Sequence, residues 1–428
     1  MYFSFAVALA AFPFLVGAVP VENSRRNVLS IPLSKRGPSQ LDVRSLHAGT
    51  HHTMAKFQRG FEAFERNTGK RHPLAPKHGR LDKRSTPGNA SIPLTDFHEF
   101  MWYGTIQVGT PSKEYSVNID TGSANLFLPG PSCQSCQGHT IYDPSNSSTA
   151  KDLGLSANLT YALGNVAGHV FADTVNLGGL EASNGTLVVA SDVAVNFNAT
   201  NFGADGTLGM GLRGLSPFNA TTIFETLVEE NQLEEPVFGL VLAESNSELI
   251  IGGRDSSRFK GNLSYTPVDS GMGYWHTKFD NITINGNDIQ INNTEVIIDT
   301  GNVLLLGDQI SIGNIYKGIP GSARFNSSDP SFGSQFWTFP CNTTVNASIS
   351  FDNTPFDISP DIFNLGTIGG GLCVGAFAEF PAGATYPGFW VLGDVFLRNV
   401  YTEFDYGSNG IKNGTQDGKV QIGFAQLA

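Results

Sequence analysis

Two Asp-Thr-Gly triplets, Asp120-Thr121-Gly122 and Asp299-Thr300-Gly301, are the residues of this 428-residue chain best suited to chemistry. The first is preceded by Val117-Asn118-Ile119 and followed by Ser123; the second is preceded by Val296-Ile297-Ile298 and followed by Asn302. A run rich in β-branched residues reads as a buried strand, and the Gly after it permits a tight turn that holds the Asp at the strand's end. A carboxylate delivered from an apolar strand is costly unless hydrogen bonds or a partner stabilise it. Two of them, 179 residues apart, read as a matched pair. Carboxylates held close cannot both ionise readily, so they share a proton and supply a base and an acid together. The protons belong to the pair, so residue type does not say which Asp plays which part.

The elements that must position them repeat as well. Asp205-Gly206-Thr207-Leu208-Gly209 ends 89 residues after Asp120, and Trp390-Val391-Leu392-Gly393 ends 94 residues after Asp299. Each half therefore runs apolar strand, Asp-Thr-Gly, then a segment closing in Leu-Gly, as two related lobes would with one carboxylate each. A single Asp-Thr-Gly is often a mere turn; the repeated order argues against two unrelated turns. Short apolar runs broken by Gly, Asn and Pro, such as Tyr103–Val108, Leu187–Val195, Glu248–Ile251 and Val420–Phe424, predict a mostly β body. Ala220–Gln232 and, less clearly, Gly307–Tyr316 predict helices.

The chain begins with an apolar stretch, residues 1–18, ending in Val16-Gly17-Ala18, which reads as a signal peptide and is too short for a membrane span. Residues 19–84 read as a removable basic prosegment. Residues 1–84 carry 14 Lys/Arg against 5 Asp/Glu, and residues 85–428 carry 12 against 33, a split of +9 and −21. That contrast predicts Coulomb attraction between prosegment and body, weakened in acid as carboxylates protonate. Of three Lys-Arg pairs, Lys83-Arg84 is the expected processing site, since composition changes there and Ser85-Thr86-Pro87-Gly88 reads as a loop. All thirteen Asn-x-Ser/Thr sequons follow it, from Asn89 to Asn413. A basic arm for nucleic acid does not fit beside a signal peptide and an acidic body. The expected product is soluble, unanchored and monomeric, secreted to the cell exterior or delivered to a vacuole.

The 344 residues of the body are long enough for two cores, and we divide them into lobes at 85–275 and 276–428. Cys133, Cys136, Cys341 and Cys373, an even count in a secreted chain, read as two disulfides with three possible connectivities. One Cys-x-x-Cys without a second pair or a His partner does not make a zinc or redox site. Gly209-Met210-Gly211-Leu212-Arg213-Gly214 fits a dinucleotide fingerprint, but no βαβ rhythm surrounds it. His98, His139, His169 and His276 have no metal-ligand spacing. Neither cofactor nor metal is expected.

The order of motifs resembles the pepsin-like aspartic endopeptidases, within them the secreted fungal type, over nearly the whole body. The resemblance is carried by Phe100-Met101-Trp102-Tyr103-Gly104-Thr105-Ile106, Val108-Gly109-Thr110-Pro111, Asp120-Thr121-Gly122-Ser123 with Asn125-Leu126, and Leu159-Thr160-Tyr161 with Gly164 and Gly168. Asp173-Thr174-Val175, Tyr274-Trp275 and Leu392-Gly393-Asp394-Val395-Phe396-Leu397-Arg398 continue it. It implies a bilobal all-β fold with a cleft between the lobes, hydrolysis of peptide bonds in acid, and a prosegment that blocks the cleft as an intramolecular inhibitor. Asp120 and Asp299 would activate water. Thr121 and Thr300 would brace the two loops, Ser123 would donate to Asp120, and Tyr161 would ride a flap hairpin given mobility by Gly164 and Gly168. Asn118, one alternation before Asp120, would face a side-chain pocket. The resemblance also implies the local disulfides Cys133–Cys136 and Cys341–Cys373, sensitivity to statine-type inhibitors, and a taste for hydrophobic residues on both sides of the cut.

Three positions depart from the family pattern. Asn302 stands where Ser or Thr is usual, Phe127 where Trp is usual, and Ala162 where Gly is common. Asn302 is expected to weaken stabilisation of the Asp299 carboxylate, and Phe127 removes an indole N–H from the neighbourhood of the flap tyrosine. They also define the rival reading, a glycosylated relative that keeps the scaffold for binding and has lost turnover.

Overall fold

The computed structural model describes residues 29–36, 43–75, 101–161, 163–199, 202–243, 245–326, 333–381, 388–407, 411–412, 415–416 and 419–428. Residues 1–18, read above as a signal peptide, the Lys83-Arg84 pair and Ala162 lie outside them.

Strand β1 (Leu29–Arg36) and helix α1 (Val43–Thr68) come from the basic segment. The first lobe follows with β2 (Met101–Val108), β3 (Lys113–Asp120), β4 (Leu126–Pro129), β5 (Lys151–Tyr161), β6 (Gly164–Leu177), β7 (Leu180–Val193), β8 (Gly206–Gly209) and helix α2 (Ile223–Glu229). Next come β9 (Val237–Val241), β10 (Ser247–Ile251) and β11 (Phe259–Pro267). One 13-stranded sheet runs from β11 through Gln421–Leu427, Val400–Asp405, β9, β10 and β1 into β2, and on to β5 at its far edge. β1 is the seam of this sheet. It pairs antiparallel with β10 over Leu29–Leu33 and with β2 over Ser34–Arg36, and Ile31 and Leu33 enter the same core as Trp102 and Ile106.

The two halves share a local topology. In the first lobe β3 runs parallel to β8, β8 antiparallel to β4, and β4 parallel to β7. In the second, Glu295–Ile298 runs parallel to Trp390–Leu392, that strand antiparallel to Leu305–Gly307, and the last parallel to Phe377–Glu379. The two Leu-Gly segments are thus the parallel partners of the two Asp-bearing strands. Tyr115, Val117 and Ile119 alternate inward along β3, as a half-buried strand requires, whereas Val296, Ile297 and Ile298 are all buried.

The helix expected at 220–232 is shorter, Ile223–Glu229. Thr222 caps it by accepting from the Glu225 N–H, and the Glu225 carboxylate accepts from the Thr222 N–H in return. The second expected helix is α3 (Gln309–Lys317), capped by Asp308. The 26-residue α1 was not anticipated. Its buried face, Val43, Leu46, Thr50, Thr53, Phe57, Phe61 and Phe64, recurs every three or four residues, so one stripe of the helix packs into the body. Cys133–Cys136 and Cys341–Cys373 are the disulfides formed. The second closes a separation of 32 residues, worth about 3–4 kcal/mol on loop-entropy grounds.

Candidate active site

β3 ends at Asp120 with Asp120 opposite Gly209 of the parallel β8, and the Met210 N–H donates to the Asp120 carbonyl at 2.8 Å. In the second lobe the Asp299 N–H donates to the Leu392 carbonyl at 3.0 Å. Each parallel partner therefore clamps one Asp at the main chain. The loops then lock onto each other. The Thr121 hydroxyl donates to the Ile298 carbonyl (3.0 Å) and accepts from the Thr300 N–H (3.0 Å). The Thr300 hydroxyl donates to the Ile119 carbonyl (2.7 Å) and accepts from the Thr121 N–H (3.0 Å). Four buried bonds fix the spacing of the two turns. Gly122 and Gly301 are dictated by closeness, since a Cβ on either would run into the opposite carboxylate.

Both carboxylates are buried, Asp120 2% and Asp299 0% exposed. Asp120 accepts from the Gly122 N–H at 3.0 Å and from the Ser123 hydroxyl at 2.6 Å. Asp299 accepts from the Gly301 N–H at 2.9 Å, but Asn302 turns its amide away and donates to the Leu304 carbonyl at 2.6 Å. The loops match in backbone and differ in the fourth side chain.

Between them lies Lys56, from the middle of α1. Its ammonium is 2.8 Å from Asp120 Oδ1 and 2.9 and 3.1 Å from the two oxygens of Asp299, with 3% of the residue exposed. Burial opposes ionisation of all three groups. For Lys56 the two carboxylates outweigh it and hold the ammonium above its ordinary range. For Asp120, Lys56 outweighs it with help from Ser123 and Gly122, and the carboxyl is held below its ordinary range. For Asp299, burial and the charge of Asp120 prevail over Lys56 and raise it to about 6. Below about pH 6, protonated Asp299, ionised Asp120 and the Lys56 ammonium make a neutral trio, which lowers the cost of burying them.

Tyr161 closes β5 at the tip of the hairpin it forms with β6, opposite Gly164. It is buried, its hydroxyl 3.5 Å from the Asn125 carbonyl and its ring 5.3 Å from that of Phe127 and 6.0 Å from that of Phe197. Where an indole N–H would have held the hydroxyl, Phe127 offers ring packing. Burial, then the Asp120 charge, push the Tyr161 phenol well above its ordinary range. Gly168 has a packing reason in this conformation: a Cβ there would meet the Val189 carbonyl, beside a break in the β6–β7 register. A pocket next to Asp120 is lined by Met101, Leu163, Phe197, Phe202 and Val303 together with Asn118. The Gly209–Gly214 run opens no long helix; Gly209 and Gly211 lie against the main chain of Ala124 and Ser123.

The family model described as eukaryotic aspartyl protease matches residues 101–416. The chain belongs to that family. It is 32% identical over 336 residues to an aspartic protease of Phaffia rhodozyma, covering 77% of this chain and 80% of that one. It is 30% identical over 372 residues to cathepsin E of Aquarana catesbeiana (83% and 91%) and 30% identical over 325 residues to pepsin A of Bos taurus (74% and 85%). This protease is an aspartic-type endopeptidase with a bilobal, all-β, pepsin-like fold.

In the protease the structure gathers Asp120, Thr121, Gly122, Ser123, Thr300, Gly301, Asn302, Asn118 and Tyr161 around one cleft. Lys56 was missed. Reading the basic segment by net charge hid it among 14 cations. Phe57, Phe61 and Phe64 at helical spacing were the available signal, since they announce a helix with an apolar face immediately beside one lysine.

Proposed function

We propose that the chain is the precursor of a secreted aspartic endopeptidase that works in acid, with Asp120 and Asp299 as its catalytic pair. The observation that carries this reading is the convergence of two buried carboxylates on one ammonium from α1. The space Lys56 fills lies against both carboxylates, where a water molecule must sit to attack a peptide carbonyl. Once the prosegment leaves, the ionised carboxylate takes a proton from that water as its oxygen bonds to the carbonyl carbon. The protonated partner gives its proton to the carbonyl oxygen. The tetrahedral diol then collapses: the carboxyl that took the water's proton gives it to the nitrogen, a diol hydroxyl returns its proton to the other carboxylate, and the C–N bond breaks with no covalent enzyme intermediate. Asp120, with Ser123 donating to it, suits the ionised role and Asp299 the protonated one.

The apolar walls of the pocket beside Asp120 support a preference for bulky hydrophobic side chains flanking the cut. Among the described residues no sequon asparagine is buried, which suits a glycosylated product, and no helix is long and apolar enough to cross a membrane. We assign residues 1–18 to export, 19–84 to the prosegment and 85–275 and 276–428 to the lobes, with processing at Lys83-Arg84. The test is cleavage of a denatured protein by acid-treated precursor across an acid pH series. Cleavage that a statine-type inhibitor stops and that Asp120→Asn abolishes supports the reading; activity equal in parent and Asp120→Asn defeats it.

A further inference from the structure

His72, just past the end of α1, is 1% exposed. Its Nε2 is 2.7 Å from the Met272 carbonyl oxygen and its Nδ1 3.1 Å from the Leu74 N–H. A carbonyl only accepts and a main-chain N–H only donates. The ring therefore carries its proton on Nε2 and presents a bare Nδ1, a neutral tautomer set by its two partners. It lies among Phe61 (4.4 Å between ring centres), Phe64 (4.7 Å) and Tyr274 (5.8 Å). The contacts from α1 are uncharged rings. From the body, Asp269 favours a proton on the ring and His276 opposes it, with His276 itself paired to Glu295 at 2.8 Å and Glu295 to Lys278 at 2.7 Å.

We propose that His72 is a proton-operated latch on the prosegment. A proton on Nδ1 would set two N–H donors against each other and charge a ring enclosed by aromatic groups. The ring then leaves its slot, and with it the segment tied down by Leu74, buried in the same apolar cluster, and by Asn67, which donates to the Gly214 and Ser216 carbonyls. This proposal rests on reading α1 as an inhibitory prosegment. It adds a second mild-acid response to that of the Lys56–Asp299 contact, whose carboxyl is raised to about 6.

Burial holds the docked imidazole down to about 4, against the pull of the Met272 carbonyl and Asp269. A free His titrates near 6.5, so the docked form binds a proton less readily than the released form. Docking has its full strength above about pH 6.5 and weakens as pH falls toward 4. There the loss levels off at roughly 300-fold in the docking equilibrium, or about 30-fold at pH 5. The Asp120–Lys56 contact has the opposite origin. Asp120 is held low, so that contact survives until pH falls through its depressed value. The latch therefore weakens at a pH where the Asp120–Lys56 contact still holds.

The experiment compares parent precursor with His72→Gln, whose amide can still donate to Met272 but does not titrate. Each is stepped from pH 7 to values between 6.5 and 3.5, and conversion is followed by mass. The variant should convert up to about 30-fold more slowly at pH 5, with its midpoint moved to lower pH and the turnover of the processed enzyme unchanged. Conversion curves that overlay the parent's would overturn the latch. Should the variant fold poorly, C2-hydrogen exchange of His72 in the parent precursor decides, with a midpoint below 5.5 expected and one near 6.5 contradicting the proposal. Unprocessed parent that cleaves peptide as fast as processed enzyme removes the inhibitory reading itself, and the latch with it. An inert parent precursor with an unaltered His72→Gln removes the latch alone.

Discussion

The two Asp-Thr-Gly loops are near copies in backbone and opposites in one side chain. Both Asp residues sit on a strand clamped by a parallel partner, both Thr residues reach across to the other loop, and both Gly N–H groups donate to their own Asp. At the next position Ser123 donates to Asp120, whereas Asn302 serves Leu304 and leaves the Asp299 carboxylate without a donor from that position. Geometry in this site is therefore set symmetrically and proton affinity asymmetrically. The backbone and the two threonines decide where the carboxylates are; the fourth residue of each loop helps decide which one holds the proton.

The comparison can be broken at several levels. Removing a carboxylate is the most severe. Asp120→Asn and Asp299→Asn should each lower the processed enzyme's kcat by at least about 10³-fold, because the shared proton and one of its two holders are lost. A turnover within tenfold of parent in either variant would end the paired reading. Next come the braces. Thr121→Val and Thr300→Val each leave a buried carbonyl and a buried N–H without partner, at about 2 kcal/mol or more of stability. The symmetry claim requires the two losses, read from denaturant midpoints, to agree within about 0.5 kcal/mol.

The fourth position should then divide the loops. Ser123→Ala removes a charge-assisted bond and lets Asp120 rise, so the acid limb of the kcat/KM profile should move up by about one pH unit. Asn302→Ala should leave that limb in place and cost about 1 kcal/mol through the lost bond to the Leu304 carbonyl, which keeps the Gly393 N–H as its remaining donor. The smallest effect is expected from Asn302→Thr. A hydroxyl donor toward Asp299 lowers its proton affinity. Activity that needs protonated Asp299 is lost as pH rises through its raised pKa, so the alkaline limb should shift to lower pH by less than one unit. A profile overlaying the parent's would show that position 302 does not tune the pair.

Much of this site was legible before any coordinates. The strands entering Asp120 and Asp299 were marked by β-branched runs, the turns by Gly, and the clamping strands by the repeated Leu-Gly segments, which are parallel partners in fact. Those signals are local or periodic, so they survive in a linear text. The destination of the Asn302 amide was not legible, because an amide can donate toward either the carboxylate or the chain and only packing chooses. Tyr161 was placed by its motif, but its aromatic surroundings come from Phe127 and Phe197, 34 and 36 residues away in sequence.

The basic segment shows the same limit more sharply. Its charge excess predicted attraction to an acidic body, yet what structure shows at the cleft is one lysine carried on an apolar helix face. Lys56 is 64 residues before Asp120 and 243 before Asp299, and no spacing rule connects them. Sequence by itself determined the chemistry available: two carboxylates on two strand ends, flanked by glycines, in a duplicated β frame. It could do so because strand alternation and turn chemistry are properties of neighbouring residues. Tertiary structure alone decided that the carboxylates meet, where the Asn302 amide goes, and that an ammonium and a neutral imidazole from the same segment are buried against the body. Those outcomes depend on desolvation and on distances of about 3 Å between groups far apart in the chain, where burial and charge are felt at full strength.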